Sequence, residues 1–276
     1  MIEQARASNS CGGFADAELD ELESIARALA AADTLFMKLV NRAGKVTGSV
    51  LSRLPEGWQE MVQKASAAAL KAAWAAAGTT QPQRHRGRVG RALSNTTGEG
   101  FHRVATAVSG AVGGAGGAMT TVLVDLPATT TLILRSIQQI AADYGEDLDA
   151  PDVRADCIAV FAMGGPMSAD DDREMSLYAA RTALTGKAIG DIILSVAPRF
   201  GVVVSQKAVA QAAPVLGAVA GAAINPIFTR YYQKMAHVRF RLRRLERAHD
   251  PAQVQACLER MVRSIRKPDP APDGAD

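Results

Sequence analysis

Apolar side chains recur every three or four residues along most of this chain, which is the periodicity of amphipathic helices. The first run covers 15–40 and carries Leu19, Leu22, Ile25 and Leu29 behind an acidic first turn. Further helices are predicted over 61–77, 153–163, 170–188, 227–248 and 251–266. No stretch alternates apolar and polar residues over the length of a strand. The pattern therefore predicts an all-α fold.

Two uncharged segments of small residues lie within this pattern, at 104–124 and at 208–229. Their glycines recur three and four residues apart, and those expected at a helix contact are Gly110, Gly114, Gly117, Gly217 and Gly221. Glycine at this spacing leaves a smooth helix face, because no Cβ keeps a neighbouring helix away. We expect the two segments to pack on each other at the centre of a single-domain, multi-helix bundle.

Neither segment is expected to cross a membrane. The first has 21 residues but includes five glycines and four hydroxyl side chains. Its strongly apolar residues favour insertion by only about 2 to 3 kcal/mol in total, which the glycines and hydroxyls largely cancel. The second contains Pro214 and Pro226. The prediction is a buried helical hairpin in a soluble or membrane-peripheral domain.

Chain length favours one domain, since 276 residues can bury a single substantial core. The predicted organisation is a disordered N-terminus over 1–14, a helical domain over 15–266 and a disordered tail over 267–276. A basic linker over 78–90 is either a solvated loop or a contact for an anionic lipid or protein.

The formal net charge of +3 is too small to indicate nucleic acid as a partner. Positive charge is concentrated instead in the late helix, where the candidates for contact with anionic lipid or a partner are Arg239, Arg241, Arg243 and Arg244. Together with the aromatic residues of the same helix, Phe228, Tyr231, Tyr232 and Phe240, these arginines suit a membrane surface. The alternative is that these arginines form the solvated face of a core helix.

The three cysteines, Cys11, Cys157 and Cys257, are widely spaced and fit neither a disulfide framework nor a zinc motif. We therefore expect a reducing compartment, and the absence of a signal-peptide pattern at the start also favours a cytoplasmic location. Cys157 lies on the apolar face of its helix and is predicted to be a small core residue.

Motifs for catalysis and metal binding are missing. The sequence has no Gly-x-Ser-x-Gly elbow and no His-Glu-x-x-His pair, and its four histidines lack ligand spacing. The acidic turn around Glu146 resembles a calcium loop but contains Pro151 and lacks the central glycine, so a solvated turn is predicted. We expect no metal and no cofactor.

One polar site is a candidate. Asp125 ends the charge-free segment and precedes Pro127, so its carboxylate either caps the following helix or belongs to a polar site inside the bundle. Thr129, Arg135 and Asn225 are its candidate partners. Arg135 follows by ten residues, close to three helical turns, and would face the same way.

Two ordered blocks resemble a known family. The first is Asp125-Leu-Pro-x-Thr-Thr-x-Leu-Ile-Leu-Arg-Ser-Ile, continued by Tyr144-Gly-Glu-Asp. The second begins at Ala213 and reads Ala-Pro-Val-Leu-Gly-Ala-Val-Ala-Gly-Ala-Ala-Ile-Asn-Pro, followed by Phe228 and the arginine-rich helix. Over about 60–250 the chain resembles the EcsC family of bacterial proteins, which takes its name from a protein encoded beside an ABC transporter linked to secretion.

The resemblance implies a non-enzymatic helical protein that acts at or near the cytoplasmic membrane face, with a membrane surface or a membrane transporter as partner. It supplies no catalytic residues. The alternative from another class is a hydrolase that uses a polar pocket near Asp125.

Overall fold

Helices account for every regular element in the part of the chain that the structure describes. A computed structural model describes residues 2–44, 57–78, 99–114, 125–163, 190–197, 200–201, 204 and 217–266. The helices are α1 (Ile2–Arg6), α2 (Asp16–Gly44), α3 (Trp58–Gly78), α4 (Glu99–Gly114), α5 (Leu126–Asp143), α6 (Pro151–Ala159), α7 (Gly217–Ala248) and α8 (Pro251–Arg266). Short 3-10 helices cover Asn9–Cys11 and Val160–Met163. The prediction of an all-α fold is confirmed.

Most predicted helices lie within one to four residues of the observed bounds, but α7 is longer than expected. It begins at Gly217 and continues through Pro226 without a break. Proline removes one backbone hydrogen bond in a helix, a local cost that packing along the rest of the helix can offset. The predicted helix over 170–188, the linker over 79–90, the tail over 267–276 and Gly117 lie outside the described residues.

The α4–α7 pair is the most extensive helix contact in the described structure. The two helices run antiparallel, because Gln233 contacts Glu99 at one end while Asn225 contacts Thr106 further along. Helix α5 packs against both, and α3 packs on α5. The two small-residue segments therefore meet, as predicted, over the parts of them that lie in α4 and α7.

A buried aromatic cluster fills the space beside α7. Tyr232 is fully buried, and its ring centroid lies 5.1 Å from that of Phe161 and 5.3 Å from that of Phe228. Phe200 completes the cluster at 5.1 Å from Phe161. Cys157, on α6, is buried and has a free thiol, which agrees with its predicted place in the core.

The N-terminal segment and the cysteines differ from the prediction. Residues 2–11 were expected to be disordered, yet they contain α1 and a 3-10 helix, and Cys11 forms a disulfide with Cys257 of α8. The expectation that the cysteines form no disulfide is wrong, because a sequence separation of 246 residues says nothing about distance in the fold. The inference of a reducing compartment from cysteine spacing loses its basis.

Candidate functional site

Asp125 lies at the start of α5 and is 1% exposed. Its backbone is already helical (φ −71°, ψ −36°), and its side chain makes no capping hydrogen bond. The predicted cap is therefore wrong: a cap residue needs a non-helical backbone to bring its side chain over the first amides. The carboxylate extends instead toward Thr129, one turn later, whose hydroxyl donates to Asp125 Oδ1 at 2.8 Å.

Asn225 of α7 joins this pair from the opposite helix. Its amide Nδ2 donates to Asp125 Oδ1 at 3.0 Å and to the backbone oxygen of Thr106 at 2.9 Å, and lies 3.2 Å from Thr129 Oγ1. One side chain thus connects α4, α5 and α7. The structure brings together three of the four residues that the sequence nominated, namely Asp125, Thr129 and Asn225.

Two threonines that the sequence did not single out complete the arrangement. Thr229 Oγ1 lies 2.9 Å from Thr106 Oγ1 and 2.9 Å from the backbone oxygen of Asn225. We call Thr106, Asp125, Thr129, Asn225 and Thr229 the central polar cluster; all five are buried, and none is more than 1% exposed. Asn225 Oδ1 has no hydrogen-bond partner among the residues that the structure describes. A signal was present in the sequence, since Thr229 follows Asn225 by one turn and shares its helix face.

Arg135, the fourth nominated residue, belongs elsewhere. Ten residues of helix correspond to a rise of about 15 Å, which is beyond the combined reach of an arginine and an aspartate side chain. Arg135 lies instead close enough to His102 to influence it electrostatically. Burial lowers the pKa of His102, and the charge of Arg135 lowers it further, while a hydrogen bond with Gln139 acts in the opposite direction.

A second polar group, the arginine–carboxylate network, joins α7 to α6 and to the turn before it. Arg239 donates to both carboxylate oxygens of Asp156, at 3.0 and 2.9 Å, and to Glu246 at 2.9 Å. Arg243 donates to Asp156 at 2.7 Å and to Glu146 at 2.9 Å. Asp152 and Arg247 complete the network, paired with Arg243 and Glu146 respectively.

This network bears on whether the arginines of α7 are available for contact with anionic lipid. Arg239 and Arg243 are only 6% and 8% exposed, so in this conformation they are not accessible to a lipid headgroup. Arg241 and Arg244 pair with Glu21 of α2, although the side chain of Arg244 remains 60% exposed. Of the four arginines nominated for anionic contact, Arg244 is the one that the structure leaves largely at the surface.

The acidic residues of the network also differ from expectation. Glu146, predicted in a solvated turn, is 3% exposed and accepts hydrogen bonds from two arginines. Burial and the neighbouring Asp156 carboxylate raise the pKa of Glu246 to about 8, against the opposing influence of Arg247. Within the described residues, no group of three or more His, Cys, Asp or Glu side chains is placed to hold a metal ion.

A third polar contact lies at the charged end of the α4–α7 pair. His237 Nε2 is 2.8 Å from Glu99 Oε1, and its Nδ1 is 3.2 Å from the hydroxyl of Tyr144. Glu99 also accepts from Arg103 at 2.8 Å. The side chains of Glu99 and His237 are 37% and 40% exposed, so this carboxylate–imidazole–phenol chain reaches solvent. It joins α4 and α7 to the end of α5.

No helix within the described residues is long and apolar enough to cross a membrane. No curated protein and no solved structure matched the chain. The sequence does match the EcsC protein family over residues 16–245, a range that contains α2 to α6, nearly all of α7, the central polar cluster and the arginines of the network apart from Arg247. Since this range is most of the 276-residue chain, the protein belongs to the EcsC family.

Proposed function

We propose that this protein is a non-enzymatic helical protein that acts at the cytoplasmic face of the membrane, as an accessory to a membrane transporter. In this proposal it approaches the membrane with the uncharged end of the α4–α7 pair. The supporting observation is the distribution of charge on either side of the central polar cluster.

Charged residues occupy only one end of the α4–α7 pair. In α4 the charged residues are Glu99 and Arg103, both before Val104. In α7 the first charged residue is Arg230, after Thr229. The central polar cluster marks the boundary, and beyond it neither helix carries a charge. The sequence stays uncharged as far as Val124 after α4 and back to Ala208 before α7. A helix end whose sequence carries no charged residue is inexpensive to move toward a bilayer.

The glycines of both helices support the same picture. Thr106 contacts Asn225 in an antiparallel pair, so continuing by one turn on each helix would bring Gly110 opposite Gly221. A second turn would bring Gly114 opposite Gly217. Glycines facing one another allow close helix packing without a polar or bulky contact, as is usual where helices meet in an apolar environment.

A catalytic role for the central polar cluster has weaker support. Its five side chains hydrogen-bond within the cluster and to the backbone, and a substrate could reach them only if the helices separated. Buried, mutually bonded polar groups more often fix which helices pack and in which register. We therefore assign the cluster a structural role and leave the hydrolase as the alternative.

Val104 offers a direct test, because its side chain is 65% exposed and lies between Arg103, the last charged residue of α4, and the uncharged end. The assay is flotation of the purified protein with vesicles of phosphatidylcholine and phosphatidylglycerol. We expect wild type to float and Val104→Asp to bind about fivefold more weakly, since an added negative charge at an anionic surface costs roughly 1 kcal/mol.

Val104→Asn is the matched control, as it changes polarity and not charge, and we expect intermediate binding. Circular dichroism must show that all three proteins are equally helical. If wild type does not float, or if Val104→Asp floats as well as wild type, the proposed contact is wrong.

A further inference from the structure

The disulfide joins the two parts of the chain that lie outside the family match. The match covers residues 16–245, whereas Cys11 precedes it and Cys257 follows it. Both sulfurs are buried, with Cys11 2% and Cys257 0% exposed. The flanking segments of this chain therefore pack against each other, with the N-terminal segment on α8 and α8 on α2.

The two segments that the disulfide joins differ in the non-covalent contacts that hold them. Helix α8 packs on α2 through a continuous apolar face whose buried members are Val254, Cys257, Leu258, Met261 and Val262. Apart from Cys257, the residues of this face take no part in the disulfide. A helix of 16 residues with such a face keeps its place by burial of apolar surface.

The N-terminal segment 2–12 has few non-covalent contacts of this kind. Its helix α1 has five residues, too few to be stable alone. Ala5 and Cys11 are its buried apolar residues. Arg6 pairs with Asp20 and Glu23, whose side chains are 68% and 16% exposed, and ion pairs near the surface stabilise little. Gln253 donates to the backbone oxygen of Gly12. The conformational entropy lost when about ten residues become ordered outweighs the free energy that these contacts contribute.

We propose that Cys11 and Cys257 form a redox-responsive clamp. As a disulfide the clamp holds segment 2–12 on α8, and as two thiols it releases the segment and uncovers the part of α8 around Cys257.

The chemistry is thiol–disulfide exchange with a dithiol reductant, such as a protein dithiol. One thiolate of the reductant attacks a sulfur of the Cys11–Cys257 bond, which forms a mixed disulfide and releases the other cysteine as a thiolate. The second thiol of the reductant then displaces the remaining cysteine. Two electrons and two protons pass to the clamp, and the reductant leaves as a disulfide. An oxidant that itself contains a disulfide reverses each step.

Cys157 supplies an internal control. It is buried in α6, and burial raises the pKa of its thiol, so it is a poor nucleophile at neutral pH. Its substitution should leave the redox response unchanged.

Amide hydrogen exchange on the full chain, with and without dithiothreitol, tests the clamp. The amides of Ala7 and Cys11 donate to Glu3 and Ser8 in the oxidised structure. On reduction we expect them to exchange at least tenfold faster, with the amides of α4 and α7 unchanged. Glutathione disulfide should restore the slow exchange. Cys11→Ser should exchange rapidly without reductant, and Cys157→Ser should behave as wild type.

Differential alkylation in growing cells tests whether the clamp switches. We expect the fraction of disulfide to rise severalfold within minutes of adding a thiol oxidant and to fall after its removal. Equal exchange rates in oxidised and reduced protein would overturn the release of the segment. The switch would be overturned if alkylation found the disulfide fully formed both before and after the oxidant is added. It would equally be overturned if both thiols were free at both times.

Discussion

Asn225→Ala should be among the most destabilising single substitutions in this protein. The amide of Asn225 donates to Asp125 Oδ1, to the backbone oxygen of Thr106 and, at longer range, to Thr129 Oγ1. A hydrogen bond between neutral groups contributes about 1 kcal/mol, one to a charged acceptor about 2 kcal/mol, and a buried acceptor left without its donor adds to the loss. The free energy of unfolding should therefore fall by about 3 to 4 kcal/mol.

Urea unfolding followed by circular dichroism at 222 nm measures this loss. Thr131→Ala is the control, because Thr131 donates to the backbone of its own helix and is half-buried, so its loss should be below about 0.5 kcal/mol. Asp125→Ala and the double variant complete a cycle. Since both side chains share one bond, the double variant should be about 1.5 kcal/mol more stable than the sum of the single losses predicts. Additive losses, or a loss for Asn225→Ala no larger than that of Thr131→Ala, would refute the central role of this cluster.

Three further predictions concern the helix contact, the arginines and pH. Gly110→Leu should destabilise the fold by about 2 kcal/mol, because the register set by Thr106 and Asn225 would place residue 110 toward α7, where a leucine would overpack the helix contact. Gly100→Leu on the same helix, where a side chain would meet nothing within 4 Å, should stabilise the fold slightly. In urea unfolding Arg239→Met should cost about 3 kcal/mol, because it removes the hydrogen bonds that Arg239 donates to the buried Asp156 and Glu246, and the exposed Arg244→Met should cost less than about 1 kcal/mol. Because the folded-state pKa of Glu246, about 8, exceeds its ordinary value of 4.5, its stabilising contribution is full below pH 4.5 and is lost as pH rises through 8. Wild type should lose stability over this range relative to Glu246→Gln, and parallel pH profiles would contradict the shift.

Local patterns in the sequence were sufficient to predict the helices. Apolar spacing located α2, α3 and α8 closely, since helix formation depends on residues three and four apart. The uncharged segments indicated which helices meet at the centre. Asp125 and Asn225 were found because a polar residue at the margin of an uncharged segment must have a partner.

Contacts between distant parts of the chain could not be predicted in the same way. Apart from Glu246, the partners of Arg239 and Arg243 lie 83 to 97 residues earlier in the sequence, so arginines that could have been a solvated face are in the interior. The disulfide connects residues 246 apart. In both cases the sequence shows the chemistry of the side chain, while only the fold decides which group it meets.

The arginine–carboxylate network and the central polar cluster hold α7 at two different points along its length. Buried ion pairs add little net stability compared with apolar packing, but breaking one partner is costly. Together the two groups favour a single register of α7 against α4 and α6. This explains how a helix rich in alanine and glycine, which could slide along a smooth partner, is held in one position.

Disulfide cross-linking between α4 and α7 tests the central claim most directly. In a variant whose three native cysteines are replaced, cysteines are introduced in pairs at Gly110 and Gly221 or at Gly100 and Gly221. Continuing the antiparallel register from Thr106 and Asn225 would bring the first pair face to face, while the second pair is displaced by ten residues, or about 15 Å. The account predicts rapid cross-linking of the first pair under mild oxidation and none of the second. Equal cross-linking of both pairs, or cross-linking of the second alone, would contradict the packing on which the fold and the proposed function depend.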